Sequence, residues 1–89
     1  SILGEAAPDY ILPILKEGIA DGSIHTDHPE ELSEVLLLLS DLWLHPILRP
    51  STPEQVRLRC AFFNQFTRQY GFELLDGDLI DAMAEFCRT

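Results

Sequence analysis

Thr52-Pro53-Glu54-Gln55-Val56-Arg57-Leu58-Arg59-Cys60-Ala61-Phe62-Phe63-Asn64-Gln65-Phe66-Thr67-Arg68-Gln69-Tyr70-Gly71 is the stretch on which the fold turns. It opens with a capping box: the Thr52 hydroxyl can accept from the backbone of Gln55 while Gln55 reaches back, and Pro53 suits the first helical position. Val56, Cys60, Phe63, Phe66 and Tyr70 recur at helical spacing, which predicts a helix over 53–70 ended by Gly71. Phe62 and Leu58 widen that stripe to an arc of roughly 200°, whereas a surface helix needs only about 100° of apolar face.

The segments on either side read the same way. Upstream, Pro29-Glu30-Glu31 starts a helix expected over 29–44, with Asp27 or His28 as its cap and the glutamates at the positive end of its dipole. Pro46 and Pro50 interrupt the chain beyond it. Leu32, Val35, Leu36, Leu39, Leu42 and Trp43 form one stripe, and Leu37 and Leu44 lie on a separate side with Ser33 and Ser40 nearby. Further upstream, Pro8 suits a first turn, and Ile11, Leu12, Ile14, Leu15 and Ile19 predict a helix over 9–21 stopped by Gly22. Pro13 either kinks that helix or marks the start of its regular part. Downstream, the turn at Asp76-Gly77 leads into a short helix over 77–87 with Ile80, Met83, Ala84 and Cys87 on one face. The expected architecture is all-α: one domain covering 1–89, a four-helix antiparallel arrangement with two long central helices.

Those two central helices carry more apolar surface than 89 residues need, because a domain this small buries only about 60–65% of its unfolded surface. Hydrophobic residues make up 46% of the chain. The excess points to a second subunit, with the central helices of two copies meeting as a dimeric four-helix bundle. Leu37, Leu44, Leu58, Phe62 and Phe66 are the candidate interface residues, with Ser40 allowing close helix approach.

Charge and composition exclude several other roles. Fifteen acidic residues against six basic ones give a net charge of −9, and only Arg57 and Arg59 among the basic residues lie close together, so no phosphate-binding surface is expected. The same charge disfavours an anionic membrane surface. The longest apolar run, beginning at Val35, falls far short of the ~20 residues that cross a bilayer. No signal peptide is legible. The two cysteines, Cys60 and Cys87, sit inside helical patterns and read as reduced core thiols of a cytoplasmic protein. Opening on Ser1-Ile2-Leu3 without an initiator Met, the sequence reads as a fragment of a longer protein, the alternative being a start residue removed by processing.

No catalytic, cofactor or metal site is expected. His25, Asp27 and His28 share a loop but lack the third nitrogen or sulfur ligand of a coordination set. Asp76, Asp78, Asp81 and Glu85 cluster near a helix start, where negative charge is stabilising without any acid–base role. Ser33, Ser40 and Ser51 have no neighbouring base or Gly-rich turn. Tyr10, Trp43 and Phe63 are candidates for lining a small-molecule pocket, since such sites are apolar and aromatic, although core packing is their ordinary role.

The stretch from Ile14 to Glu31 resembles the C-terminal domain of tetracycline-repressor (TetR) family transcriptional regulators. There a helix ending in a Gly-Ile-x-x-Gly pattern precedes a Pro-Glu-started, Leu-rich helix, which Gly18, Ile19, Gly22, Ile24, Thr26, Pro29, Glu31, Leu36 and Leu37 match. Trp43-Leu44-His45-Pro46-Ile47-Leu48 and Gly71-Phe72-Glu73-Leu74-Leu75-Asp76 extend the resemblance over nearly the whole chain. It implies a homodimer built on the last two long helices, and a pocket-lining role for the first helix that singles out Tyr10. The family's N-terminal helix-turn-helix has no counterpart here, nor do the earlier helices that complete an effector pocket. The expectation is a dimerisation and partial ligand-sensing domain with a homodimeric partner and a small-molecule effector. The alternative is a stand-alone helical adaptor that binds a heterologous protein.

Overall fold

The computed structural model describes residues 10–45 and 51–87, and within them every regular element is helical. Four helical segments succeed one another: α1 (Leu12–Asp21), α2 (Pro29–Leu38, continued by a π-helical turn at Leu39–Trp43), α3 (Pro53–Arg68) and α4 (Gly77–Phe86). The expected helix start at Pro8 and Asp9, and the break at Pro46 and Pro50 with Ile47 and Leu48, lie outside the described residues.

Local chemistry sets most of the boundaries. Thr52 and Gln55 form the reciprocal capping box, with Gln55 N donating to the Thr52 hydroxyl at 3.2 Å and Thr52 N donating to Gln55 Oε1 at 2.9 Å. Asp76 caps α4 by accepting from Leu79 N at 2.8 Å. Gly22 (φ 87°) and Gly71 (φ 100°) end α1 and α3 in the left-handed region that residues with a Cβ avoid. Pro13 sits in the first turn of α1, so it marks the start of the regular helix. The α2 cap differs from expectation. His28 occupies the cap position with no side-chain hydrogen bond to the helix, and the Thr26 hydroxyl accepts from His28 N instead.

The elements pair in sequence, α1 against α2 and α3 against α4. One connected core runs through all of them: Leu15 from α1, Leu32 and Leu36 from α2, Cys60 and Phe63 from α3 and Ala84 from α4. Two loop contacts knit the pairs. His25 N donates to Tyr70 O at 2.8 Å, tying the α1–α2 loop to the end of α3. Asn64, buried in α3, donates to Leu75 O at 2.7 Å and accepts from Leu75 N at 3.0 Å, holding the segment before α4 by both its backbone groups. The Arg57–Asp81 and Arg68–Glu73 ion pairs are exposed and contribute little. The Cα envelope measures 40 × 28 × 16 Å. Two helices packed about 8–10 Å apart, with Cα atoms about 2.3 Å from each axis, span about 13–15 Å, so the thin direction holds two helix layers.

Candidate interaction face and apolar cavity

On α3 the sequence pattern and the structure agree. Val56, Cys60 and Phe63 face inward, while Leu58 and Phe62 stand 71% and 59% exposed. Phe66, one turn beyond Phe62, is half-buried. Leu58, Phe62 and Phe66 thus form a stripe at four-residue spacing along the outside of the helix.

On α2 the exposed side is different from the expected one. Leu37 and Leu44, read as interface residues, are buried by this chain itself. The helix is turned so that the Ser33 and Leu37 side faces in, and the outward arc is Val35, Leu38 and Leu42, each 40–49% exposed. The serines explain the turn. The Ser33 hydroxyl donates to Glu30 O at 2.6 Å, and that of Ser40 to Leu36 O at 2.8 Å and Leu37 O at 3.2 Å. A serine whose proton is satisfied within its own helix can be buried like a small apolar residue. Ser40 is half-buried, with its hydroxyl committed to the helix.

The two stripes lie side by side. Trp43 and Phe62 meet edge to face with ring centroids 6.0 Å apart, and Phe66 stacks similarly on Tyr70 at 5.7 Å. Between α2 and α3 runs an open cleft of about 260 Å³ walled by Leu32, Val35, Phe66 and Tyr70. Its polar end carries Thr26, His28 and Glu31, with His28 Nδ1 at 3.7 Å from a Glu31 carboxylate oxygen. Val35 of one stripe and Phe66 of the other thus wall the same cleft.

A second space of about 250 Å³ lies on the other side of α2. Ile11, Ile14 and Leu15 wall it from α1 and the residue before it, and Leu36 and Ser40 from α2. Ser23 and Ile24 from the α1–α2 turn and Phe72 and Leu74 from the segment after α3 complete the lining. Among the described residues no charged side chain lines it. Tyr10, Trp43 and Phe63, the sequence candidates for a pocket, line neither space. Tyr10 is 72% exposed, Trp43 is half-buried and Phe63 is wholly buried in the core.

Several of the polar groups that drew notice in the sequence have structural partners. Asp76 is a cap, Asp81 pairs with Arg57 and His28 stands beside Glu31. Among the described residues no group of three or more His, Cys, Asp or Glu side chains could hold a metal ion, and no helix is long and apolar enough to cross a membrane. Burial pushes the Cys60 thiol pKa up, with Cys87 adding to the rise and Arg57 opposing it, so the thiol stays protonated and unreactive at neutral pH. In the α1–α2 loop, hydrogen bonds from Ser23 hold the exposed Asp21 carboxyl below its ordinary pKa. Compared with known proteins, the chain matches no family model, no curated protein and no solved structure.

Proposed function

We propose that this chain is the dimerisation and ligand-sensing part of a transcription regulator of the tetracycline-repressor type, with no nucleic-acid contact of its own. The observation that carries the reading is the pair of outward apolar stripes, Leu58–Phe62–Phe66 on α3 and Val35–Leu38–Leu42 on α2. A two-fold axis across them brings four helices together and covers each stripe with its own copy. Such a pair fixes the distance between two DNA-reading domains attached elsewhere, and a ligand that prefers one packing of the helices changes that distance.

Burial of the exposed stripes supports association, against a cost of roughly 4–15 kcal/mol for the translational and rotational freedom lost. Fully burying a large apolar side chain contributes about 1.5–3 kcal/mol. At their observed exposure, Leu58 and Phe62 have about 1–2 kcal/mol each still to gain. Symmetry counts them twice, for about 4–8 kcal/mol in the dimer. Opposing this, two copies of charge −9 repel, and salt screens that repulsion.

Molar mass by light scattering on the purified chain, over a wide concentration range and at low and physiological salt, tests the reading. The expected result is the mass of two chains, holding further on dilution at the higher salt. Leu58→Glu with Phe62→Glu should give the mass of one chain with helical content unchanged. A wild-type chain that is monomeric under every condition would refute it and favour the adaptor alternative.

A further inference from the structure

We infer that the 250 Å³ space between α1, the π-helical end of α2 and the 72–74 segment is a binding site for a compact, uncharged, apolar molecule of about two fused rings with at most one hydrogen-bond donor. It deepens the sensing half of the reading above, and the two can fail separately because the dimer is read by mass alone.

Size and lining define the ligand. An apolar protein cavity of about 150 Å³ holds benzene, so this space accepts a molecule larger by roughly one ring. Seven of its nine walls are Ile, Leu or Phe side chains, and the other two are Ser23 and Ser40. Both serine protons are already taken within the chain, that of Ser40 by Leu36 O and that of Ser23 by Gly18 O at 3.3 Å or the Asp21 carboxylate. What remains are oxygen lone pairs, which accept from a ligand hydroxyl and offer nothing to an anion. The net charge of −9 acts in the same direction. Water fits poorly, because a buried water needs two to four polar partners.

The walls are pinned, which is why the space does not close by collapse. Ser23 N and Ile24 N both donate to Gly18 O, at 2.9 and 3.0 Å, and a Cβ on Gly18 would overlap Ile24 Cδ1, so the turn packs onto bare backbone there. Next to that turn, where Gly71 packs against the Ser23 carbonyl, Phe72 N donates to Thr67 O at 3.4 Å and the Asn64 pair holds Leu75. Ser40 lies in a π-helical turn, a widening found often at functional sites.

Methyl NMR on the whole chain, titrated with neutral naphthol and in parallel with anionic naphthoate, tests the assignment. Saturable shifts at the Ile24 and Leu36 methyls are expected with naphthol, and binding at least tenfold weaker with naphthoate. Ile14 and Leu74 stand on the rim, 64% and 51% exposed, so Ile14→Trp and Leu74→Trp should keep the helical circular dichroism and each weaken naphthol tenfold or more. The Leu58→Glu, Phe62→Glu variant should bind naphthol as the wild type does. Shifts that never saturate, naphthoate binding as tightly as naphthol, binding undiminished by both rim variants, or rim variants that change the molar mass in place of naphthol affinity would each overturn the assignment. The last outcome would make a second copy of the chain the occupant.

Discussion

Replacing Asn64 separates a hydrogen-bonding role from a packing one. Its side-chain amide spends one donor and its oxygen on the two backbone groups of Leu75, and both residues are buried, at 7% exposure each. In Asn64→Ala the Leu75 N–H and C=O lose their partners inside the protein, at about 1–3 kcal/mol apiece, so the expected loss is about 2–5 kcal/mol. For 89 residues a typical total stability is roughly 4–13 kcal/mol, so the variant folds but sits near the margin. With an m-value of about 1.5 kcal/mol/M, the urea midpoint should fall by roughly 2 M. Asn64→Asp sharpens the test. Its carboxylate can still accept from Leu75 N but repels Leu75 O, so burial and that carbonyl both raise the pKa of the introduced acid. A raised folded-state pKa means the stabilisation is fully present below the ordinary aspartate value of about 3.9 and is lost as pH rises through the folded value. Relative to wild type, Asn64→Asp should therefore recover stability on acidification, and Asn64→Ala should not. Urea melts tracked by circular dichroism, at fixed protein concentration and at neutral and acidic pH, measure both. A loss below about 0.5 kcal/mol for Asn64→Ala, or the same pH profile for both variants, would refute the reasoning.

Two further outcomes concern the loops and the core. Gly71→Ala should cost about 1–3 kcal/mol, since the position has φ 100° and a Cβ would run into the Ser23 carbonyl oxygen; chemical denaturation measures it, and a neutral result would mean the loop is not seated on α3. For Cys60, the raised thiol pKa leaves stability intact below the ordinary thiol value and erodes it as pH rises from there towards the folded value. Alkylation of the native chain should label Cys87 before Cys60, and mass spectrometry of digests that finds Cys60 modified first would contradict its burial.

What was legible in the sequence was whatever neighbours decide among themselves. Thr52, Pro53 and Gln55 settle the start of α3 within one turn, and Gly22 and Gly71 end helices because the backbone there needs positive φ. Leu58 and Phe62 could be placed outside because α3 keeps a regular period. The rotation of α2 was hidden, since a helical wheel scores Ser33 and Ser40 as polar, while in the fold their protons are spent on carbonyls of their own helix. Asn64 gave no signal either, because its partner lies eleven residues away across a turn. The cavity was least visible of all. A void belongs to no residue, and Phe63, Trp43 and Tyr10, which the sequence singles out for one, serve the core, the α2–α3 contact and the surface, while Phe72 lines it.

The π-helical turn also bears on how α2 is to be aligned with other chains. Leu44 N reaches back five residues to Leu39 O at 2.8 Å, so this turn holds one residue more than an α-helical turn would. Removing Asp41 would restore regular hydrogen bonding and look, in an alignment, like a harmless gap. Because the π turn absorbs the extra residue, Leu44 N would still donate to Leu39 O, now four residues back, and Trp43 and Leu44 would keep the faces they hold. A one-residue gap between Leu39 and Leu44 is therefore what brings Leu36 and Leu44 into line with the core positions of a regular helix.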